Sequence, residues 1–226
     1  MKIEILNSPG NSAAKVVLDP HEALTAEGGA MIAMTGDMGL ETTTRQRGSS
    51  GGLLAAAKRL LSGESFFLNQ FTAGPRGGEV YLAATLPGDM MKLALEGETM
   101  IVQAGSFVAC APTVTLDFNW QGFKSLLSGE SMFWLKVSGS GRVILSSFGA
   151  IYPISVNGEY IVDTGHIVAF DETLNFTITK AGKSWIGSML GGEGFVCKFQ
   201  GRGTVWCQSH NASSFGWELG PMLKPR

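Results

Sequence analysis

The chain has 226 residues, of which 44% are hydrophobic and 16% are charged, a balance that excludes an intrinsically disordered protein. Its 31 glycines show no three-residue period, which excludes collagen, and they are roughly twice the usual share of about 7%, which indicates many tight turns. The 17 basic and 19 acidic residues give a net charge of −2 without a basic cluster, which argues against a nucleic-acid partner.

Nothing in the sequence has the pattern of a targeting signal or a membrane anchor. Residues 1–5 carry no basic leader, apolar segment or cleavage site. Apolar runs such as residues 100–102 are far shorter than the about 18 residues that a spanning helix requires. Three cysteines do not make a disulfide framework. We therefore predict a cytoplasmic protein with no membrane span.

One segment near the start of the chain occurs three times. Residues 22–34 recur as 98–110 and as 159–170, with Gly29, Gly105 and Gly165 at the same point. A glycine that recurs at one place in a β-rich segment predicts a turn or bulge with a positive φ angle.

A second segment, interleaved with the first, also occurs three times. Residues 60–84 recur as 126–147 and, more weakly, as 189–208. Two interleaved sets in the same order indicate three structural repeats of about 60–75 residues. We predict that residues 1–226 form a single compact domain of three internal β repeats.

The repeats have the sequence pattern of β-strands. Short runs such as residues 142–147 and 167–170 are β-branched or aromatic and are bounded by Gly, Asn or Asp. The Asn157-Gly158 pair predicts a hairpin turn, because both residues accept positive φ. The glycine-rich stretches 138–141 and 200–203 are predicted as turns at matching positions. The predicted fold class is therefore all-β.

Helix is expected only between strands. Residues 53–61 have apolar side chains at the spacing of an amphipathic helix, and Gly63 stands at the position of a C-terminal cap. The corresponding stretches 123–127 and 185–190 predict a turn or two of helix each.

The motifs of phosphate binding and nucleophilic catalysis are incomplete. Gly182-Lys183-Ser184 resembles the end of a phosphate-binding loop, but Thr177 stands where that loop needs its first glycine. Gly139-Ser140-Gly141 lacks the flanking spacing of a nucleophile elbow. A β-turn is the better interpretation of the first motif.

The histidines and cysteines lack the spacing of a metal site. His21, His166 and His210 are scattered, which is typical of surface or hydrogen-bonded residues. Cys197 and Cys207 flank the predicted turn at 201–203 and could be cross-strand neighbours. A redox pair or soft-metal site is one interpretation, and two small buried hydrophobic side chains is the favoured one.

Three acidic residues recur in the second repeated segment. Glu64, Glu130 and Glu193 could converge on an axis and bind a cation through oxygen ligands. Each could equally hydrogen-bond a turn or helix end within its own repeat, and this local role is favoured because it needs no ligand. An enzyme using these residues with a metal is the least favoured hypothesis.

The tryptophans are spread along the chain without interleaved Lys or Arg, which predicts core or interface filling rather than base stacking. They are Trp120, Trp134, Trp185, Trp206 and Trp217.

Four short motifs together carry a resemblance to a known family. They are Gly-Glu-Ser-Phe at 63–66, Leu-Pro-Gly-Asp at 86–89, Val-Asp-Thr-Gly-His-Ile-Val-Ala-Phe at 162–170 and Gly-Glu-Gly-Phe at 192–195. In this order, and over about residues 3–208, the chain resembles the altered-inheritance-of-mitochondria protein twenty-four family of bacteria, archaea and fungi. The resemblance implies a fold similar to the tryptophan RNA-binding attenuator protein, with three β-sandwich units in a pseudo-threefold arrangement.

The resemblance implies no reaction, because the family has no established one and the attenuator's binding residues match no motif here. The sequence also shows no acid–base pair, nucleophile or cofactor loop, and we predict no catalytic, cofactor or metal-binding residue. The favoured function is a non-enzymatic scaffold or protein-interaction module, whose edge strands self-association or a protein partner would cover. The alternative, suggested by fold analogy, is a binding module for a small ligand or RNA.

Overall fold

The computed structural model describes residues 1–43, 67–118, 120, 133–180 and 195–223. Most of these residues lie in β-strands, so the all-β prediction is confirmed. The strands are β1 Lys2–Leu6, β2 Ala13–Leu18, β3 Ala23–Glu27, β4 Met31–Met34, β5 Gly39–Thr43, β6 Leu68–Thr72, β7 Gly78–Leu82, β8 Met90–Gln103, β9 Phe107–Cys110, β10 Val114–Asp117, β11 Trp134–Ser146, β12 Ile151–Asp163, β13 Ile167–Asp171, β14 Asn175–Lys180 and β15 Phe195–Gln208.

Helical structure in the described residues is short. Single 3₁₀ turns occupy Ala104–Ser106, Thr164–His166 and Gly220–Met222, and one α-helix, α1, spans Ala212–Leu219. Asn211 caps α1, since its side-chain oxygen accepts hydrogen bonds from the backbone of Ser213 and Ser214. The helices predicted at 53–61, 123–127 and 185–190 lie outside the described residues.

Long antiparallel ladders form the frame of the molecule. β8 pairs with β11 from Met90↔Ser146 to Gln103↔Trp134, and β12 pairs with β15 along its whole length. Nearer the N-terminus the antiparallel ladders are formed by shorter strands: β2 pairs with β7, and β3 pairs with β6. In the described part of the chain the strands form a four-stranded sheet, β1-β2-β7-β4, and an eleven-stranded sheet that begins at β12 and ends at β5.

The three predicted hairpin turns were wrong, because each lies inside a long strand. Asn157 and Gly158 are in the middle of β12, residues 138–141 are within β11, and residues 200–203 are within β15. Gly158 and Gly201 have φ angles of 110° and 122°, and the β8–β11 ladder shifts register between Ser138 and Ser140. Positive-φ glycines and bulges bend a strand without ending it, and local sequence does not distinguish this from a turn.

The prediction for the recurring glycines was right at one position. Gly29 has a φ angle of 94°, whereas Gly105 and Gly165 lie in 3₁₀ turns without a positive φ. At Gly165 an added Cβ would come within 2.0 Å of the Asn211 side chain, so any larger residue would displace the side chain that caps α1. Nothing in the structure explains the glycine at position 105.

Three short strands pair with the longer strands in the same way. β4 pairs with β7, β9 with β11, and β13 with β15, and each short strand carries a one-residue register shift. The residue skipped by the shift is Ile32 in β4, Val108 in β9 and Val168 in β13.

Two further ladders connect successive parts of the chain. β3 pairs with β9 through Thr25↔Cys110 and Ala26↔Ala109, and β8 pairs with β13 through Val102↔Ala169 and its neighbours. The second connection is extended by a backbone hydrogen bond of 3.1 Å from the Glu172 N–H to the Thr99 carbonyl, within the usual range of about 2.7–3.2 Å. These ladders make the large sheet continuous from β12 to β5.

An aromatic cluster fills one part of the core. Phe170 is fully buried and its ring lies 5.0 Å from that of Phe199 and 5.9 Å from that of Trp134. Trp120 packs against the same ring at 6.3 Å. The core-filling prediction is confirmed for these two tryptophans; Trp206 also packs on the core, Trp217 is exposed, and Trp185 lies outside the described residues.

Candidate functional site

The structure does not describe the repeated acidic residues. Glu64, Glu130 and Glu193 lie outside the described residues, as does Lys183, so both interpretations of the glutamates stay predictions. Within the ranges that the structure describes, no three His, Cys, Asp or Glu side chains are grouped to hold a metal ion.

The cysteines are not cross-strand neighbours. Cys197 and Cys207 lie ten positions apart on β15, opposite Val162 and Tyr152 of β12, so the hairpin interpretation was wrong. Both thiols are free and buried, as the favoured interpretation predicts. Burial raises the pKa of Cys197 to about 12 and that of Cys207 to about 11, so neither forms a thiolate readily.

The histidines are surface or hydrogen-bonded residues, as predicted. His21 is exposed, and the Nδ1 atom of His166 lies 2.8 Å from the Gln208 carbonyl oxygen. The Nδ1 atom of His210 lies 2.8 Å from the Ser209 hydroxyl oxygen, which also accepts a hydrogen bond from the backbone of Ala150. Ser209 therefore supports a turn of the chain.

The strand β4 has one open edge. Its inner edge pairs with β7, and in the described part of the chain no strand pairs with the other. Ile32 on this strand is 59% exposed, whereas Val108 and Val168 at the matching positions of β9 and β13 are 1% and 0% exposed. A large apolar side chain thus meets solvent where its two counterparts are in the core.

The strand β12 also has an open edge. It pairs with β15 on one side, and no described strand pairs with the other. Ile161 is 56% exposed, whereas Ile101, which occupies the matching position of β8, is 1% exposed. Tyr160, its neighbour, is also exposed.

The two halves of β12 differ in how they are protected. Pro153 in the first half removes a backbone donor, and proline is a common means of preventing unwanted pairing at sheet edges. The second half has no proline. Its Glu159 is held by Lys198 at 2.6 Å and by Gln200, and these hydrogen bonds lower the pKa of Glu159. Residues 160–162 therefore present unprotected backbone groups beside apolar side chains.

Sequence reasoning missed both edges. The copies of Ile32 are Val108 and Val168, and one copy of Ile161 is Ile101, so the sequence context of both residues predicts core positions. The signal lies only in their burial, which depends on whether a neighbouring strand is present.

A third exposed apolar surface is formed by the C-terminal helix. Phe215 contacts Phe148 with ring centroids 5.4 Å apart, while Trp217 is 75% exposed. Met222 and Leu223, just beyond the helix, are also exposed.

Comparison with known proteins places the chain in a family. Residues 3–210 match the profile of a family described as Mitochondrial biogenesis AIM24. The chain belongs to this family. It is 29% identical over 196 residues to an uncharacterised protein of Streptococcus pyogenes serotype M6, covering 84% of this chain and 78% of that protein. It also shares the fold of a crystal structure of another Streptococcus pyogenes protein, with a TM-score of 0.80 at 24% identity over 98% of this chain and 99% of that one.

One of the motifs that indicate the AIM24 family has a structural role here. In the Leu-Pro-Gly-Asp segment, the buried Asp89 accepts a hydrogen bond from the Ser12 hydroxyl at 2.7 Å and another from the Met90 N–H. Its backbone binds Ser147 and Gly149. Asp89 therefore ties three segments together, since its carboxylate binds Ser12 and its backbone binds Ser147 and Gly149.

None of the helices in the described ranges is both long enough and apolar enough to cross a membrane. For this AIM24 family member the open strand edges of β4 and β12 are the leading candidate site.

Proposed function

We propose that this protein is a non-enzymatic β-repeat scaffold that binds proteins, including copies of itself, through open strand edges. The observation that carries the proposal is the exposure of Ile32 and Ile161, whereas their counterparts Val108, Val168 and Ile101 are buried. Open edges with apolar side chains are templates for pairing with another chain, and soluble proteins normally cover them.

The proposal includes three copies of one β unit, over about residues 13–82, 90–146 and 151–208, related by pseudo-threefold symmetry. It is supported by the register shift that falls at Ile32, Val108 and Val168. The similarity to the tryptophan RNA-binding attenuator fold stays a prediction.

A non-enzymatic role is favoured by how the polar residues of the described structure are used. Asp89, His166 and Ser209 each form hydrogen bonds with groups of the fold. A catalytic group must instead reach a reacting atom in an accessible pocket.

The test is the size of the purified protein, measured by light scattering and native mass spectrometry. We expect a defined oligomer in which the single variants Ile32→Lys and Ile161→Lys dissociate measurably more. Tyr152→Lys is the matched control, since Tyr152 lies on the same strand as Ile161 and is 44% exposed but belongs to its proline-protected half. A monomer that retains a small molecule or RNA would overturn the proposal and favour the ligand-binding alternative.

A further inference from the structure

The two ladders between successive parts of the chain use a single register. The residue three positions before Gly29 is Ala26, and it pairs with Ala109, four positions after Gly105. The residue three positions before Gly105 is Val102, and it pairs with Ala169, four positions after Gly165.

The next position of each ladder follows the same rule. Thr25 pairs with Cys110, and Ile101 pairs with Phe170, so the residue four before one glycine faces the residue five after the next. Since both ladders agree at two consecutive positions, the register belongs to the repeated segment rather than to one local contact.

Applied once more, the rule brings together the two open edges. The residues three and four before Gly165 are Val162 and Ile161, on β12. The residues four and five after Gly29 are Ala33 and Met34, on β4. The rule therefore places Val162 opposite Ala33 and Ile161 opposite Met34.

The side chains at these positions suit the same contact. The position four after the glycine is alanine in all three segments, namely Ala33, Ala109 and Ala169. The second and third of these are fully buried under a neighbouring strand, whereas Ala33 is exposed. A small side chain at this position lets the neighbouring strand and the side chains packed over it approach closely.

The described part of the same chain does not supply the missing partner. β4 is the terminal strand of the four-stranded sheet and β12 is the terminal strand of the eleven-stranded sheet, and the described residues contain no pairing between them. As far as the structure describes the chain, both edges are open, and each provides the residues that the register assigns to the other.

We propose that β12 of one copy pairs antiparallel with β4 of a second copy, with Val162 opposite Ala33 and Ile161 opposite Met34. The proposal rests on the scaffold function and narrows it, because it names the partner and the register. The contact joins unlike surfaces, so repeated use gives a ring when the rotation closes and an extended assembly otherwise.

The test uses cysteines introduced at the proposed contact. The single variants Ile161→Cys and Met34→Cys are mixed and gently oxidised, so that a disulfide between them must join two chains. The control mixture is Tyr160→Cys with Ile32→Cys, both exposed in the structure but three positions out of register, too far apart for a disulfide. Background from the native cysteines is low because all three are buried.

We expect several-fold more covalent dimer from the first mixture than from the control mixture or from either single variant alone. Equal yields, with a persistent oligomer by light scattering, would overturn this register but leave the scaffold function standing. A double variant that carries both Ile161→Cys and Met34→Cys tests for pairing within one chain. If it forms an internal disulfide while the mixture of single variants forms no dimer, the partner of β12 is β4 of the same copy and the proposal is overturned. A monomer without cross-links would overturn both proposals.

Discussion

Gly158 lies opposite Gly201 in the ladder between β12 and β15, and both residues have positive φ angles. The paired glycines let both strands bend at one point while the ladder continues on either side. An Asn-Gly signal that normally closes a hairpin is used here in the middle of a strand.

Replacing Gly158 or Gly201 by Ala should lower the free energy of unfolding by about 1–2 kcal/mol each, because a Cβ is strained at positive φ. Nothing lies within 4 Å of a Cβ at Gly158, and the nearest atom at Gly201 is 3.8 Å away, so steric clash adds little. Urea denaturation measures the loss. Gly105→Ala is the control, because its φ is not positive and its nearest neighbour is 3.7 Å away; an equal loss there would contradict the explanation.

Removing the Ser12 hydroxyl should be costly, because it leaves the buried Asp89 carboxylate short of one donor. We expect Ser12→Ala to lower the free energy of unfolding by about 1–3 kcal/mol. Thr42→Ala removes an exposed hydroxyl that donates to Asn69 at 2.8 Å and should change stability by less than about 0.5 kcal/mol. Similar losses from the two variants, measured by urea denaturation, would show that burial of Asp89 does not matter.

Stability should fall as pH rises from about 4.5 to about 7, because burial raises the pKa of Glu27 from its ordinary value of 4.5 to about 7. In that range the folded protein keeps a proton that the unfolded chain has lost, so each rise in pH favours unfolding. Since Glu27 is partly exposed, the effect should be on the order of 2 kcal/mol or less.

Glu27→Gln should remove this pH dependence in urea denaturation carried out across the range. Glu159→Gln serves as the control. The pKa of Glu159 is lowered by its hydrogen bond with Lys198, so its contribution is lost only as pH falls below the ordinary value, and the slope at higher pH should persist. An unchanged slope in the Glu27 variant would show that another group causes it.

The native thiols should resist alkylation while the protein is folded. Burial raises the pKa of Cys110 to about 12, like that of Cys197, so the reactive thiolate is rare. We expect iodoacetamide to react with the native thiols about 100-fold or more slowly than with a thiol introduced by Tyr152→Cys, since Tyr152 is 44% exposed and lies outside the proposed contact. Mass spectrometry after timed alkylation measures the rate at each cysteine. Rapid modification of a native cysteine in the folded protein would contradict its burial.

The sequence predicts the strand content well and the ends of strands poorly. Short runs rich in β-branched and aromatic residues, such as residues 167–170, form strands as expected, and this one is buried at all four positions. The turn signals misled because Gly158 and Gly201 act together across a ladder that joins positions 43 residues apart. Local sequence carries no information about such a partner.

The candidate site was harder to predict than the fold. Ile32 and Ile161 look like core residues in the sequence, and only the absence of a neighbouring strand exposes them. Helix α1 was also missed, since its eight residues follow a single capping Asn211 and lack a clear amphipathic pattern.

β4 has four residues and β12 has thirteen, and the open edges they provide are different surfaces. An assembly joined through them therefore has polarity: its leading end and its trailing end expose different strands. A molecule whose β4 edge alone is blocked could still attach through β12, but it would offer nothing to the next molecule. A small molar fraction of such a blocked molecule would therefore shorten the assembly, because each one that attaches stops further growth at that end.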